Sequence, residues 1–233
     1  MRHLVLGLCG LGLVAACDVG ATGGAIDAAG SDGGGVDAPV DAPGCPSLWT
    51  TRAATGAGAL IQGGALVLSA SNIPVGAALE VYQVGLGGDF DVTFAVEAFT
   101  AGGAGAFVQA AVSEDVAQPP KLLTAGFVTS PAAGVRAADQ PNGTSDVQAT
   151  AATAGELRLV RQGATVTITA TAGDTTATTT GNLAASPLRV GVQLGSTQQG
   201  TIGPTTTARI AGFTVAGGTG VTADPFDCNS LRP

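Results

Sequence analysis

Four glutamates, Glu80, Glu97, Glu114 and Glu156, are the residues with which this chain could run acid–base chemistry. Cleaving a glycosidic bond takes two carboxyl groups facing each other across a cleft. These four lie in separate segments, and Glu97 stands alone in FAVEAF. Isolated glutamates of this kind read as solvent-facing strand residues, so no hydrolase is expected. Nucleophilic catalysis has less support. His3 is the only histidine, and it lies at the extreme N-terminus. A Ser-His or Cys-His pair therefore has no base. No G-x-S-x-G elbow occurs, and GLGGDF (85–90) lacks the Lys-Ser/Thr of a phosphate loop. A histidine-ligated zinc site is excluded on the same ground. Calcium is the one metal with a chemically suitable set of oxygens, from Asp89, Asp91, Glu114, Asp115, Asn142 and Asp146. D-x-D alone is a strand edge more often than a site. The expectation is no metal, no cofactor and no enzyme.

Binding remains. Sugars pack on exposed aromatic faces, and the chain has one tryptophan and one tyrosine, Trp49 and Tyr82. Trp49 suits packing near Cys45, whereas Tyr82 alternates with Val81 and Gln83. A groove lined by Tyr82, Glu97 and Gln109 is the candidate ligand site. So few platforms imply weak glycan affinity. Thr165, Thr167, Thr169 and Thr171 form a second pattern, T-x-T-x-T-x-T. Flat threonine arrays occur in ice-binding proteins, but β-branched threonine also suits the solvent face of any strand whose Val166 and Ile168 face a core.

The elements that must carry these residues follow from composition. The chain has 233 residues, 37 of them glycine, with only 11% charged residues and a mean hydropathy of +0.38. That balance excludes a wholly disordered chain. The glycines show no G-x-y period, which excludes collagen. Nine basic against seventeen acidic residues give a net charge of −8. Lys121 is the only lysine, and no basic stripe exists to neutralise phosphates, so no nucleic-acid partner is expected.

Residues 1–17 read MRHLVLGLCGLGLVAAC. A short basic start precedes an apolar run from Leu4 to Val14, too short to span the ~30 Å hydrocarbon core as a helix. Small residues follow, which completes the pattern of an export signal. The ending Val14-Ala15-Ala16-Cys17 resembles the bacterial lipobox. That resemblance implies cleavage before Cys17, diacylation of its thiol and, commonly, acylation of its new amino group. The alternative is an ordinary signal peptide beside a chance cysteine. Residues 18–44 carry five aspartates, no basic residue and no aromatic. Such a segment buries too little apolar surface to offset its ordering entropy. It is expected to be a flexible acidic tether, with an r.m.s. span of roughly 30 Å. Asp18, directly after the lipobox, resembles an enteric inner-membrane retention signal. The membrane, inner or outer, stays open.

Once Cys9 is removed and Cys17 is acylated, Cys45 and Cys228 remain. An exported compartment permits a disulfide between them. It would close a very long loop, for which the chain-entropy model assigns about 5 kcal/mol as an upper figure. The alternative is two free, buried thiols.

From Cys45 onward no long segment has helical period. Short strand-like runs stop at glycine: 65–70, 79–84, 89–99, 105–113, 121–130, 156–162, 164–172, 175–180, 188–194 and 205–217. Within 89–99, Phe90, Val92, Phe94, Val96 and Ala98 alternate against Asp91, Thr93 and Glu97, the period of a half-buried strand. Gln162-Gly163 and Gly173-Asp174 fall where hairpin turns are needed. The order GDFDVTFAVEAF, GAFVQAAVSED, ELRLVRQGATVTITATAGD, PLRVGVQLGS, TTTARIAGFTVAG resembles the concanavalin A-like lectin/glucanase superfamily, especially its laminin G-like bacterial jelly-roll domains. The resemblance spans about residues 46–217 and rests on strand order. It implies an antiparallel jelly-roll β-sandwich that binds or cleaves glycans, but the E-x-D-x-(x)-E catalytic strand of its glucanases is missing here.

The sequence thus predicts an all-β chain in three parts: a signal peptide (1–16), an acylated Cys17 with a flexible linker (17–44), and the sandwich (45–233). The expected function is a palmitate-bearing lipoprotein module that binds a glycan or another envelope component. A structural or assembly lipoprotein without a small ligand is the first alternative, and a glycoside hydrolase-like enzyme the second.

Overall fold

The computed structural model describes residues 49–72, 75–114, 121–130, 132–140, 142–184, 187–197, 205–220 and 226. All of them fall within one compact unit, residues 41–233. Cys9, Cys17, Cys45, Cys228 and Asp115 lie outside the described residues, as do the expected signal peptide and linker.

The described residues form thirteen strands and no helix. In chain order they are β1 (Thr50–Ala53), β2 (Ala57–Gln62), β3 (Ala65–Ala70), β4 (Gly76–Thr100), β5 (Ala106–Glu114), β6 (Leu122–Val128), β7 (Gly134–Asp139), β8 (Thr144–Ala149), β9 (Gly155–Gln162), β10 (Thr165–Ala172), β11 (Thr175–Asn182), β12 (Leu188–Ser196) and β13 (Thr206–Thr219). Every pairing is antiparallel. The fold is an all-β jelly-roll sandwich. The first sheet runs β1-β4-β12-β5-β6-β7-β8, and the second β2-β3-β13-β4-β9-β10-β11.

Strand β4 belongs to both sheets. Its first part, 76–86, pairs with β1 and β12, and its second part, from residue 87, pairs with β13 and β9. The sequence predicts two strands here, 79–84 and 89–99, separated at GLGGDF. The structure instead carries one 25-residue strand through that segment. Gly85 and Gly88 adopt φ of 110° and 72°, which side-chain-bearing residues rarely do, and they let the strand leave one sheet and enter the other without ending.

The core lies between the sheets. Leu79 and Val81 of β4, Val108 and Val112 of β5, Leu123 and Phe127 of β6, and Val190 and Val192 of β12 fill it from the first sheet. The second contributes Leu66, Val92, Phe94, Leu159 and Ile168, among others. The alternation expected in 89–99 holds from Phe90 to Val96 and then breaks. Ala98 is exposed and Phe99 buried, opposite a register shift in β13 near Ile210. Trp49 is fully buried against Phe94, Phe213 and Phe226. It serves as core and offers no platform to a sugar.

Both expected hairpin turns are present, with Gly163 and Gly173 at φ of 63° and 59° between β9, β10 and β11. Strands β1, β2, β7 and β8 were not expected from sequence. Their segments TTRA, AGALIQ, GVRAAD and TSDVQA are short and alanine-rich or polar, and their apolar alternation is weak.

Candidate functional site

The faces of the first sheet differ in kind. Inward positions of β12 and β5 are leucine, valine and alanine. Outward positions are Arg189, Gly191, Gln193 and Gly195 on β12, and Phe107, Gln109, Ala111 and Ser113 on β5. In register, Glu80 of β4 faces Gln193, Gln193 faces Gln109, Gln109 faces Gly126 of β6, and Gly126 faces Arg136 of β7. Arg52 of β1 stands beside Glu80 at the other end. A single polar row therefore crosses six strands.

The row is hydrogen-bonded with one polarity. Arg136 Nη2 donates to Gln109 Oε1 (3.4 Å), Gln109 Nε2 to Gln193 Oε1 (2.9 Å), and Gln193 Nε2 to Glu80 Oε1 (3.3 Å). Each carboxamide accepts from one neighbour and donates to the next, which fixes its orientation and lets successive bonds polarise one another. The chain ends on a carboxylate. Glu80 Oε2 accepts from Arg52 Nη2 (2.8 Å) and lies 3.7 Å from Arg189 Nη1. The Arg189 guanidinium also sits 4.5 Å from the centroid of the Tyr82 ring, a cation–π contact.

Gly126 makes the far link possible. Gln109 and Arg136 are on strands separated by β6, roughly 10 Å apart at strand spacing. They meet because the residue between them has no side chain. A Cβ at Gly126 would lie 2.1 Å from the Val108 carbonyl oxygen, so nothing larger than glycine fits. Gly191, one row away between Tyr82 and Ala111, is equally constrained, with the Val81 oxygen 2.3 Å from where a Cβ would be.

Above the Glu80 end lies a cleft of about 490 Å³. Arg52, Glu80, Arg189 and Gln193 give it charged and polar walls, and Ala77 and Leu122 apolar ones. Gln109 and Arg136 continue the row beyond the cleft. Glu80 is 12% exposed at its side chain, Arg189 24% and Arg52 65%, so the carboxylate is recessed beneath arginines. Burial pushes the Arg136 guanidinium below its usual pKa.

The structure brings two of the three expected groove residues to this face, Tyr82 and Gln109. Glu97 is not there. It sits on the second sheet, exposed and paired with Arg209 Nε at 2.5 Å. Its part of β4 has already crossed to the other sheet, so no groove contains all three. Sequence reasoning missed Glu80, Arg52, Arg136, Arg189 and Gln193. For three of them the signal was present in LEVYQV and LRVGVQL: Glu80 alternates with Tyr82, and Arg189 and Gln193 flank Gly191 at alternate positions of a strand otherwise built for a core.

Of the six residues considered for calcium, Asp89, Asp91, Asn142 and Asp146 make hydrogen bonds within the fold. Asp91 pairs with Arg158, Asp89 Oδ1 accepts the Gly163 amide (2.7 Å), and Asn142 Nδ2 donates to Asp139 Oδ2 (2.5 Å). Asp146 Oδ2 accepts the Thr178 amide (3.0 Å), and its Oδ1 accepts from Gln148 (2.7 Å). Hydrogen bonds from Arg158, and from the Thr178 amide and then Gln148, hold the Asp91 and Asp146 carboxyls below their usual pKa. Among the described residues, no three His, Cys, Asp or Glu side chains cluster as metal ligands. The threonine ladder of β10 faces a second one on β11. Thr167–Thr180, Thr169–Thr178 and Thr171–Thr176 hydroxyl oxygens are 3.1, 3.2 and 3.3 Å apart.

No protein-family model matches the chain, and no curated protein matches it. Solved structures do. A functionally unknown protein from Saccharomyces cerevisiae superposes with a TM-score of 0.54 at 12% identity, over 74% of this chain and 98% of that one. At that identity the likeness is one of fold. More distantly, a lectin from Bauhinia forficata in complex with GalNAc aligns at a TM-score of 0.46 and 12% identity, over 72% of this chain and 93% of that one. A pseudo beta-1,3-glucanase of Mycobacterium tuberculosis aligns at 0.42 and 12%, over 65% and 75%.

Proposed function

We propose that the chain is an exported, lipid-anchored, non-catalytic module of the bacterial envelope, whose concanavalin A-like sandwich binds a glycan on the outer face of its first sheet. The observation that carries this reading is the row Arg52-Glu80-Gln193-Gln109-Arg136. A recessed carboxylate and nearly buried carboxamides, fixed by mutual hydrogen bonds and bordered by the exposed Arg52 and the Tyr82 ring, suit the hydroxyl-rich edge of a sugar in donors and acceptors. The anchor rests on the lipobox-like ending at Cys17, and the envelope location follows from it. Absence of turnover is supported by charge. Among the described residues, Glu80 is the one carboxylate on the walls of the cleft, and glycoside hydrolysis uses two.

A glycan-array screen of the full chain tests the reading. Binding to at least one saccharide, weakened by Gln193→Leu, is the expected result, and a blank array would sink it. A structural or assembly role is the second reading, favoured by the exposed threonine face of β10 and β11, whose hydroxyls already satisfy one another.

A further inference from the structure

Arg136 is the odd arginine of the described residues; Lys121, the one lysine, is exposed and donates to the Asn182 carbonyl oxygen. Arg52 and Arg189 share Glu80, Arg158 has Asp91, and Arg209 has Glu97. Arg161 is tied to the carbonyl oxygens of Gly163 and Leu183. Arg136 has a single acceptor, the Gln109 carboxamide oxygen, at 3.4 Å. Its register neighbours, Gly126 and Val147, carry no side-chain acceptor. A guanidinium has five donors in a planar fork, and among the described residues the one acceptor at Gln109 returns only part of the solvation lost on half-burying it. One row away, Thr124 holds a buried hydroxyl with no hydrogen-bond partner.

We propose that the outer face of the first sheet takes an acidic saccharide, a uronate-type chain whose carboxylate seats bidentately on Arg136. The inference rests on the glycan reading above and names the class of glycan. A carboxylate matches the fork geometry and supplies the missing charge. Gln109, itself almost fully buried, holds the guanidinium in place through its carboxamide oxygen. Arg52, exposed at the opposite end of the row, stands five strand spacings from Arg136, roughly 24 Å, so a linear ligand lying across the strands reaches a cation at each end. An acidic peptide would offer the same charge. The face favours the sugar, because the row between the two cations is built of carboxamides and glycine.

The test is titration calorimetry on the full chain in non-ionic detergent. Three probes are used: a galacturonate oligomer, its fully methyl-esterified form, and a glutamate oligomer of similar length. The acid oligomer should bind about tenfold or more tightly than the ester. Arg136→Gln should remove that preference, Arg136→Lys should keep part of it, and Arg158→Gln, on the second sheet, should leave it intact. Equal binding of ester and acid overturns the acidic-ligand proposal while leaving the glycan reading standing. Binding of the glutamate oligomer as tight as the galacturonate overturns it in favour of a peptide. No binding of either galacturonate form overturns it, and the glycan array then decides the broader reading separately. If Arg136→Gln does not fold, the acid-to-ester ratio of the unaltered protein decides.

Discussion

The Trp49 indole and the Phe226 ring lie 5.5 Å apart, centroid to centroid, both fully buried beside Phe94 and Phe213. Residues 177 positions apart in sequence thus share one aromatic cluster. Cys45 is four residues before Trp49 and Cys228 two after Phe226. The chain length between each cysteine and its aromatic neighbour, at most ~3.6 Å per residue, permits a bond between the two thiols. The expected outcome is a Cys45–Cys228 disulfide. The intact protein should gain the mass of two hydrogens on reduction. Alkylation of both thiols in denatured, unreduced protein would exclude the bond. Phe226→Ala should cost about 3–5 kcal/mol in denaturant unfolding.

Cys17 is expected to carry the membrane anchor. Cys17→Ala should leave an uncleaved or soluble precursor that no longer partitions with membranes. Two or three acyl chains hold far beyond the marginal binding of one. Metabolic labelling with radioactive palmitate checks it, and an unlabelled wild-type protein refutes it.

No reducing-sugar release is expected from β-glucan, chitin or peptidoglycan. Glu80 is engaged by Arg52 and Gln193, Glu97 by Arg209 on the other sheet, and Glu156 lies exposed on β9. Turnover that disappears in Glu80→Gln or Glu97→Gln would make the protein an enzyme after all.

Gly126→Ala should destabilise the first sheet. The added methyl meets the Val108 carbonyl and the Gln109 Cβ at 2.1 and 2.5 Å, so β5 and β6 must separate. Overpacking of this kind costs about 1–3 kcal/mol. A thermal melt indistinguishable from wild type would mean that the strands yield easily there.

Asp146 should contribute stability near neutral pH and lose it in acid. Its carboxyl is held below the usual 3.8 by the Thr178 amide first and Gln148 second. A lowered folded-state pKa favours the folded chain above the unfolded value, and the benefit fades as pH falls through the folded one. Asp146→Asn should therefore be less stable than wild type at pH 7, by about 1 kcal/mol or less because the group is exposed. The two proteins should begin to converge near pH 3.8 and meet below the folded-state value, which lies lower still. A gap that persists there would assign the effect to shape alone.

The strand-like runs were clear enough to place β3, β5, β6, β9, β10, β11, β12 and β13 from sequence, because each buries at least one face; β5, β6 and β12 are buried on both. The edge strand β8 buries almost nothing on either face, and β7 is nearly all small residues, so neither carries a readable period. At the site, Tyr82 and Gln109 were legible as outward residues of central strands. Glu97 was grouped with them because alternation tells which way a side chain points relative to its own sheet, and β4 changes sheets. Arg136 and Gln193 acquire meaning only through register, which a single sequence does not print.

The shared strand also governs how the molecule comes apart. In a sandwich with separate sheets, one can fray while the other persists. Here β12 and β1 on one side, and β9 and β13 on the other, all pair with the same 25 residues. Opening either sheet at its centre removes a wall of the other. Amide protons of Val81 and of Phe94 should then exchange with one common free energy, that of global unfolding, while those of the edge strand β8 exchange through smaller, local openings.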